Sequence, residues 1–154
     1  MIREASVQDI TFIDNVFRHP EIYPHITDDN CPRSPEGFSV APIFHNPLFK
    51  FIIASGAAVF MLTILNSVTL EIHSLILPEF RGKSAVDICR AGINYMFAKP
   101  NCRKLVTQVP VINLAAYALA YKVGMRVEGF NKKSFLKNGV LYDQYFMGIS
   151  KEVV

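Results

Sequence analysis

Cysteine and charge are both scarce in this chain of 154 residues. The three cysteines, Cys31, Cys89 and Cys102, form neither a CxxC pair nor a Cys/His spacing of the kind that binds zinc. An odd number of isolated cysteines argues against a disulfide framework and predicts free thiols, no metal site and a cytoplasmic location. Charged residues make up 19% of the chain, and the net charge of +3 includes no long basic run. A nucleic-acid partner is therefore not expected.

One uncharged run of twenty residues, Phe51 to Leu70, has the length that crosses a bilayer. Ser55-Gly56 and Asn66-Ser67 interrupt it at turn-like positions, and the pieces between are rich in β-branched and aromatic residues. The pattern therefore predicts three consecutive strands rather than a membrane-spanning helix, and no membrane partner. Met1 to Glu4 lead into mixed polar sequence, so no signal peptide is expected. The length and the 51% of hydrophobic residues predict one domain over residues 1–154.

Hydrophobic periodicity divides the chain into strands and helices. A strand at 2–5 and a helix at 7–18 precede an irregular segment, 20–47, with six prolines and at most a short helix at 35–38. The remaining predicted elements are strands 48–54, 57–65 and 68–77, helix 84–98, strand 105–109, helix 113–123, and strands 126–130, 133–136 and 140–149. Strands 68–77 and 105–109 should run parallel because a helix separates them, whereas the short turns make the other strands antiparallel. The fold class is therefore α/β (α+β).

A small basic loop lies between a hydrophobic strand and the start of a helix in residues 75–85. The N–H groups of a first helical turn have no intrahelical partner and carry the positive end of the helix dipole, so they attract an anion. Arg81 and Lys83 add two positive charges on either side of Gly82. The loop therefore predicts a site for a nucleotide pyrophosphate.

Two separate blocks resemble the GNAT superfamily of acyl-CoA-dependent N-acyltransferases. Residues 75–83, LILPEFRGK, are similar to the family's strand, proline, aromatic residue and Arg-Gly-Lys loop. Residues 113–130, which begin NLAA and end KVGMRVEGF, are similar to its Asn-x-x-Ala/Ser helix, Gly-Phe turn and Glu-Gly strand. Residues 71–73 and 133–139 also resemble GNAT-like proteins encoded by tailed phages, which would place the chain in a host cytoplasm.

The resemblance implies a GNAT-type mixed sheet, mostly antiparallel, of six to seven strands, with helices on both faces and an opening after Leu77. It implies acetyl-CoA as the co-substrate, without a metal. The residues expected to bind acetyl-CoA are Leu75, Ile76, Leu77, Arg81, Gly82, Lys83, Ser84, Ala85 and Asn113. In this register Ser84 and Val86 stand where the family has small residues, which would reshape the loop. Members of the family often dimerise through their final strands, so a homodimer is allowed and the oligomeric state is left open.

The implied reaction moves an acetyl group to a primary amine of a small molecule or protein by direct attack in a ternary complex. It needs a base for the amine and an acid for the departing thiolate. Glu71 and His73 share one face of the strand before the loop, where related enzymes place a Glu or His base; the alternative for each is an ordinary strand residue. The tyrosine that acts as the general acid in the family corresponds to Ala120 here. The neighbouring Tyr121 is therefore the candidate acid, and the alternative is that it is an aromatic packing residue.

The missing tyrosine and the altered loop also support a second hypothesis. The chain would then be a catalytically inactive GNAT-fold structural or interaction protein, such as a phage component.

Overall fold

Seven strands form one sheet in the computed structural model, which describes residues 1–152. The strands are β1 (Ile2–Glu4), β2 (Phe49–Ala54), β3 (Ala58–Ile64), β4 (Thr69–Ile76), β5 (Lys104–Pro110), β6 (Arg126–Lys137) and β7 (Val140–Ser150). They lie in the order β1-β2-β3-β4-β5-β7-β6, and each neighbouring pair is antiparallel except β4 and β5. The predicted mixed sheet, including its parallel pair, is therefore confirmed.

Helices cover both faces of this sheet. Within residues 1–152 the α-helices are α1 (Ile10–Phe17), α2 (Tyr23–Ile26), α3 (Lys83–Phe97) and α4 (Leu114–Lys122). Short 3₁₀ turns occupy Val7–Asp9, Pro35–Gly37, Ala41–Ile43 and Pro78–Phe80. Helix α1 and the irregular segment share one core with the sheet, which includes Ile13 and Leu75. Helices α3 and α4 share the other core, on the opposite face, which includes Phe60 and Leu105.

The predicted order of elements is confirmed, with differences of detail. Strand β6 is continuous where two short strands were predicted, because register shifts after Val127 and after Asn131 bend it without ending it. Helix α2 escaped prediction because prolines usually break helices, whereas Pro24 occupies a first turn, where a missing N–H costs little. The run 51–70 forms strands, as predicted. No helix in residues 1–152 is both long and apolar enough to cross a membrane.

Buried Asp14 ties the irregular segment to helix α1. Its carboxylate accepts hydrogen bonds from Ser39 Oγ at 2.7 Å and from the N–H of Val40 at 2.8 Å. Arg18, one turn later, donates to the carbonyl of Phe38 at 2.7 Å. These contacts hold the segment against the face of the sheet that carries Glu71 and His73.

Gly92 lets helix α3 lie directly on the sheet. A methyl group there would come within 2.7 Å of the buried ring of Phe60. We expect Gly92→Ala to lower the free energy of unfolding by about 1–2 kcal/mol, because overpacking outweighs the better helix propensity of alanine. Denaturant titration measures the loss. The control is Gly129→Ala, whose methyl group meets no atom within 4 Å; equal stability of the two variants would show that the ring can move aside.

Candidate active site

Strands β4 and β5 pair only at their beginnings and then separate. The parallel register ends at the pair Glu71–Val106. Strand β4 nevertheless continues to Ile76 and stays paired with β3, while β5 continues to Pro110 beside β7. The sheet is therefore open, as the resemblance implied, and the gap already begins after Glu71, within the strand rather than after Leu77.

The open edge of β4 carries unpaired backbone groups. The N–H of Leu77 donates to the carbonyl of Ala57 beside β3 at 2.9 Å. The N–H and C=O groups of successive residues point to opposite edges of a strand. Those of Leu75 therefore also point to β3, whereas those of Ser74 and Ile76 point into the gap. An extended ligand with amide groups can pair with them. Of the three residues predicted to bind acetyl-CoA through their backbone, Ile76 fits that role. The prediction for Leu75 and Leu77 is corrected, because their backbone groups are hydrogen-bonded to the β3 side. Ser74 offers its backbone groups to the gap instead.

Helix α3 begins beside the gap, with Gly82 as its N-cap. Gly82 has φ +80°, in the left-handed region that favours glycine. The N–H groups of Ala85 and Val86 donate to its carbonyl at 3.1 and 3.4 Å. The N–H groups of Lys83 and Ser84 lie in the first helical turn, where no intrahelical acceptor exists. Because Lys83 and Ser84 are exposed, their two N–H groups (the cradle) are available to an anion, whereas Ala85 is buried with its N–H already paired.

The two residues that were expected to reshape the loop, Ser84 and Val86, do not obstruct it. The side chain of Val86 packs against the core formed by the sheet and helices α3 and α4. Ser84 is exposed at the mouth of the cradle and adds a hydroxyl donor beside its free N–H. The loop therefore fits a pyrophosphate group.

Arg81 and Asn113, on the two sides of the open end, both donate to the irregular segment. Arg81 Nη2 donates to the carbonyl of Glu21 at 3.0 Å, and Asn113 Nδ2 donates to that of His25 at 3.4 Å. Asn113 Oδ1 also accepts from the N–H of Ala116 at 3.1 Å and so caps helix α4. The Arg81 side chain is 49% exposed, so it still has access to an anion on the cradle.

A cavity of about 110 Å³ lies under the gap, between the sheet and helices α3 and α4. Ser74 and Thr107, on the two separated strands, line its upper side. Cys89 on α3 and Ala120 on α4 line its lower side. The gap and the cavity therefore form one continuous space.

Glu71 and His73 lie on the opposite face of β4 and contact each other. His73 Nε2 is 2.7 Å from Glu71 Oε1. This hydrogen bond is the main cause that lowers the pKa of Glu71; burial opposes it, and the amide of Gln108 adds to it. Because Glu71 is ionised at neutral pH, it accepts the Nε2 proton, which leaves the lone pair of Nδ1 for another partner. The pair is thus arranged as a base with an orienting carboxylate.

Two residues that sequence reasoning missed extend this pair across the sheet. Gln108 on β5 lies near enough to Glu71 for its amide to help lower the pKa of that carboxyl, and Asn131 Nδ2 on β6 donates to Gln108 Oε1 at 3.0 Å. No signal in the sequence marks them, because their proximity depends on the register between strands.

Tyr121 does not line the cavity under the gap. The prediction that it is the general acid is therefore corrected. The residue is 51% exposed, and the guanidinium carbon of Arg126 lies 4.1 Å from the ring centre. One residue along a helix is a rotation of about 100°, so Tyr121 points outward when Ala120 faces the cavity. No tyrosine of residues 1–152 lines that cavity.

Comparison with solved structures identifies the fold. Spermidine N-acetyltransferase from Vibrio cholerae, solved in complex with CoA and spermine, gives a TM-score of 0.77 at 22% identity, covering 97% of this chain and 94% of that one. A putative phosphinothricin N-acetyltransferase gives 0.78 at 18% identity and covers 99% of both chains. The chain therefore has the fold of the GNAT N-acetyltransferases, and the resemblance is confirmed at the level of fold.

Sequence similarity to a curated protein is more local. YnaD of Bacillus subtilis (strain 168), an uncharacterized N-acetyltransferase, is 31% identical over 85 residues. The match includes 54% of this chain and 50% of the relative, so the chain spans about half the length of the curated relative it matches. No protein-family model matches the chain.

Proposed function

We propose that this protein is an acetyl-CoA-dependent N-acetyltransferase that acts on a primary amine. One observation carries the proposal: β4 and β5 stop pairing at Glu71, which leaves an open strand edge beside the start of helix α3. CoA is a ligand of the V. cholerae enzyme, which shares this fold. Here the amide-containing arm of acetyl-CoA would pair with Ser74 and Ile76, and its pyrophosphate would lie on the cradle at Gly82.

Acetyl-CoA supplies an activated acetyl group as a thioester, and the protein orients it and handles the protons. The amine approaches from the face of β4 that carries Glu71 and His73. His73 Nδ1 takes a proton from the protonated amine, and Glu71 stabilises the resulting imidazolium through Nε2. The amine nitrogen then bonds to the carbonyl carbon as the C–S bond breaks, and it releases its second proton to solvent to become the amide. Solvent supplies a proton to the thiolate, since no tyrosine of residues 1–152 lines the cavity.

The acceptor is proposed to be a small molecule. Each acidic side chain of the irregular segment already accepts a hydrogen bond or pairs with a cation, which leaves no free acidic cluster there to hold a polycation. Asp29, for example, accepts from the N–H groups of Asn138 and Gly139 at 2.7 and 2.9 Å. The free thiols Cys31, Cys89 and Cys102 support a reducing cytoplasm as the location.

Calorimetric titration with acetyl-CoA and then CoA tests the proposal. We expect micromolar binding of both, followed by acetylated product when candidate amines are incubated with the protein and acetyl-CoA and analysed by mass spectrometry. A protein that binds neither ligand would contradict the proposal. That result would support the catalytically inactive GNAT-fold protein, which the missing tyrosine at Ala120 favours.

A further inference from the structure

The cavity under the gap is larger than transfer of an acetyl group requires. It opens between Ser74 and Thr107, where the two strands have separated, and extends down to helices α3 and α4. Ala120, 8% exposed, lines its floor, and Ala116, one turn earlier on the same helix face, lines its side. Two small residues at these positions leave space that a larger side chain at either one would occupy.

The walls of the cavity suit a hydrocarbon. The residues that line it are mainly aliphatic, and they include Ile72, Ile93, Val109, Leu119 and Val123. The polar groups among its lining side chains are the hydroxyls of Ser74 and Thr107 and the thiol of Cys89, whose pKa burial raises to about 11. Because no lining side chain is charged at neutral pH, a charged acyl group would lose hydration there without gaining a partner.

The volume of the cavity sets the length of the chain that fits. A buried apolar cavity of about 150 Å³ holds benzene, so about 110 Å³ has room for roughly four carbon atoms. Four carbons beyond the two of an acetyl group correspond to a hexanoyl chain.

We propose that the donor site accepts acyl-CoA thioesters longer than acetyl-CoA, with unbranched, uncharged chains of about four to six carbons whose carbons beyond the first two lie in this cavity. The proposal rests on the proposed function, since it concerns the same donor site. It adds the class of acyl group that the enzyme transfers.

Calorimetric titration of the purified protein with CoA and with its acetyl, butyryl, hexanoyl and octanoyl thioesters tests the proposal without an acceptor amine. We expect affinity to rise about two- to fourfold for each added methylene, in line with the burial of apolar surface, up to hexanoyl-CoA. Octanoyl-CoA should gain nothing further. Succinyl-CoA, which has the carbon count of butyryl-CoA but an added negative charge, should bind no better than acetyl-CoA.

Two variants connect the preference to the cavity. Ala120→Leu and Ala116→Leu should each abolish the advantage of hexanoyl-CoA over acetyl-CoA and leave the affinity for CoA unchanged. Ala118→Leu, on the exposed side of the same helix, should keep the advantage. Thermal unfolding shows which variants fold, and either cavity variant suffices for the test.

Each outcome separates this proposal from the proposed function. Hexanoyl-CoA that binds no better than acetyl-CoA would overturn only the proposal of a longer acyl group. A preference for hexanoyl-CoA that is unchanged in the folded cavity variants would do the same. Failure of every thioester and of CoA to bind would overturn both proposals.

Discussion

Replacing His73 by glutamine should lower kcat about 10²- to 10⁴-fold, the range that a positioned general base contributes. Glutamine keeps a donor for Glu71 but cannot take a proton at neutral pH. The KM for acetyl-CoA should change little, because His73 lies on the face of β4 opposite the cavity. Steady-state kinetics at saturating amine measure both constants. A kcat equal to that of the parent would exclude His73 as the base.

Glu71→Gln tests whether Glu71 acts through His73. The loss should be smaller than for His73→Gln, because the base remains and only its charge stabilisation is weakened. The double variant should be no slower than His73→Gln alone, since residues that act as a unit are not additive. Losses that multiply would instead mean two independent roles. Thr69→Val, on the same strand but before the gap, is the control and should leave kcat unchanged.

The pH dependence follows from the same pair. The hydrogen bond from His73 is the main cause that lowers the pKa of Glu71 from its ordinary value of 4.5. A lowered pKa in the folded state means that Glu71 contributes stability above its unfolded pKa and loses it as pH falls through the folded value. Acidification should therefore lower the free energy of unfolding of the parent more than that of Glu71→Gln, which has no carboxyl group to protonate. Denaturant titration at neutral and at acidic pH measures the difference.

The element order and the helix start at Gly82 could be predicted because both depend on local sequence. Gly82 between two basic residues, a few residues after a hydrophobic strand, marks a helix N-terminus without any knowledge of the rest of the chain. The Asn138-Gly139 turn is equally local, and both residues have the positive φ that it requires. Even Glu71 and His73 follow from the alternation of a single strand.

The remaining features depend on how the strands align with one another. Gln108 comes near Glu71, and Asn131 near Gln108, only because β5 and β6 have a particular register, and the shift after Asn131 is not visible in the sequence. Likewise, the sequence does not show that the backbone groups of Leu75 face β3, because this depends on the register between β3 and β4. Phage origin and a homodimer, which rest on resemblance alone, stay predictions.

Removing both charges of the loop, by Arg81→Ala together with Lys83→Ala, should raise the Kd of CoA about 10- to 100-fold. A hydrogen bond to a charged group contributes about 1.5–3 kcal/mol, and solvent exposure reduces this to roughly half here. Each of the two residues therefore contributes at most about 1.4 kcal/mol of binding free energy. The loss of that amount raises the Kd tenfold. Calorimetry at low salt measures the change, which should shrink as salt screens the parent's charges.

Two comparisons separate the loop from the open strand edge. Lys99→Ala with Lys122→Ala removes the same charge from the C-terminal ends of helices α3 and α4 and should leave the Kd of CoA unchanged. Pantetheine, which lacks the phosphates, should bind the loop variant as well as it binds the parent, because Ser74 and Ile76 still offer their backbone groups. Unchanged CoA affinity in the loop variant would mean that the backbone N–H groups of the cradle hold the pyrophosphate without Arg81, which would then serve to fix Glu21 and the irregular segment.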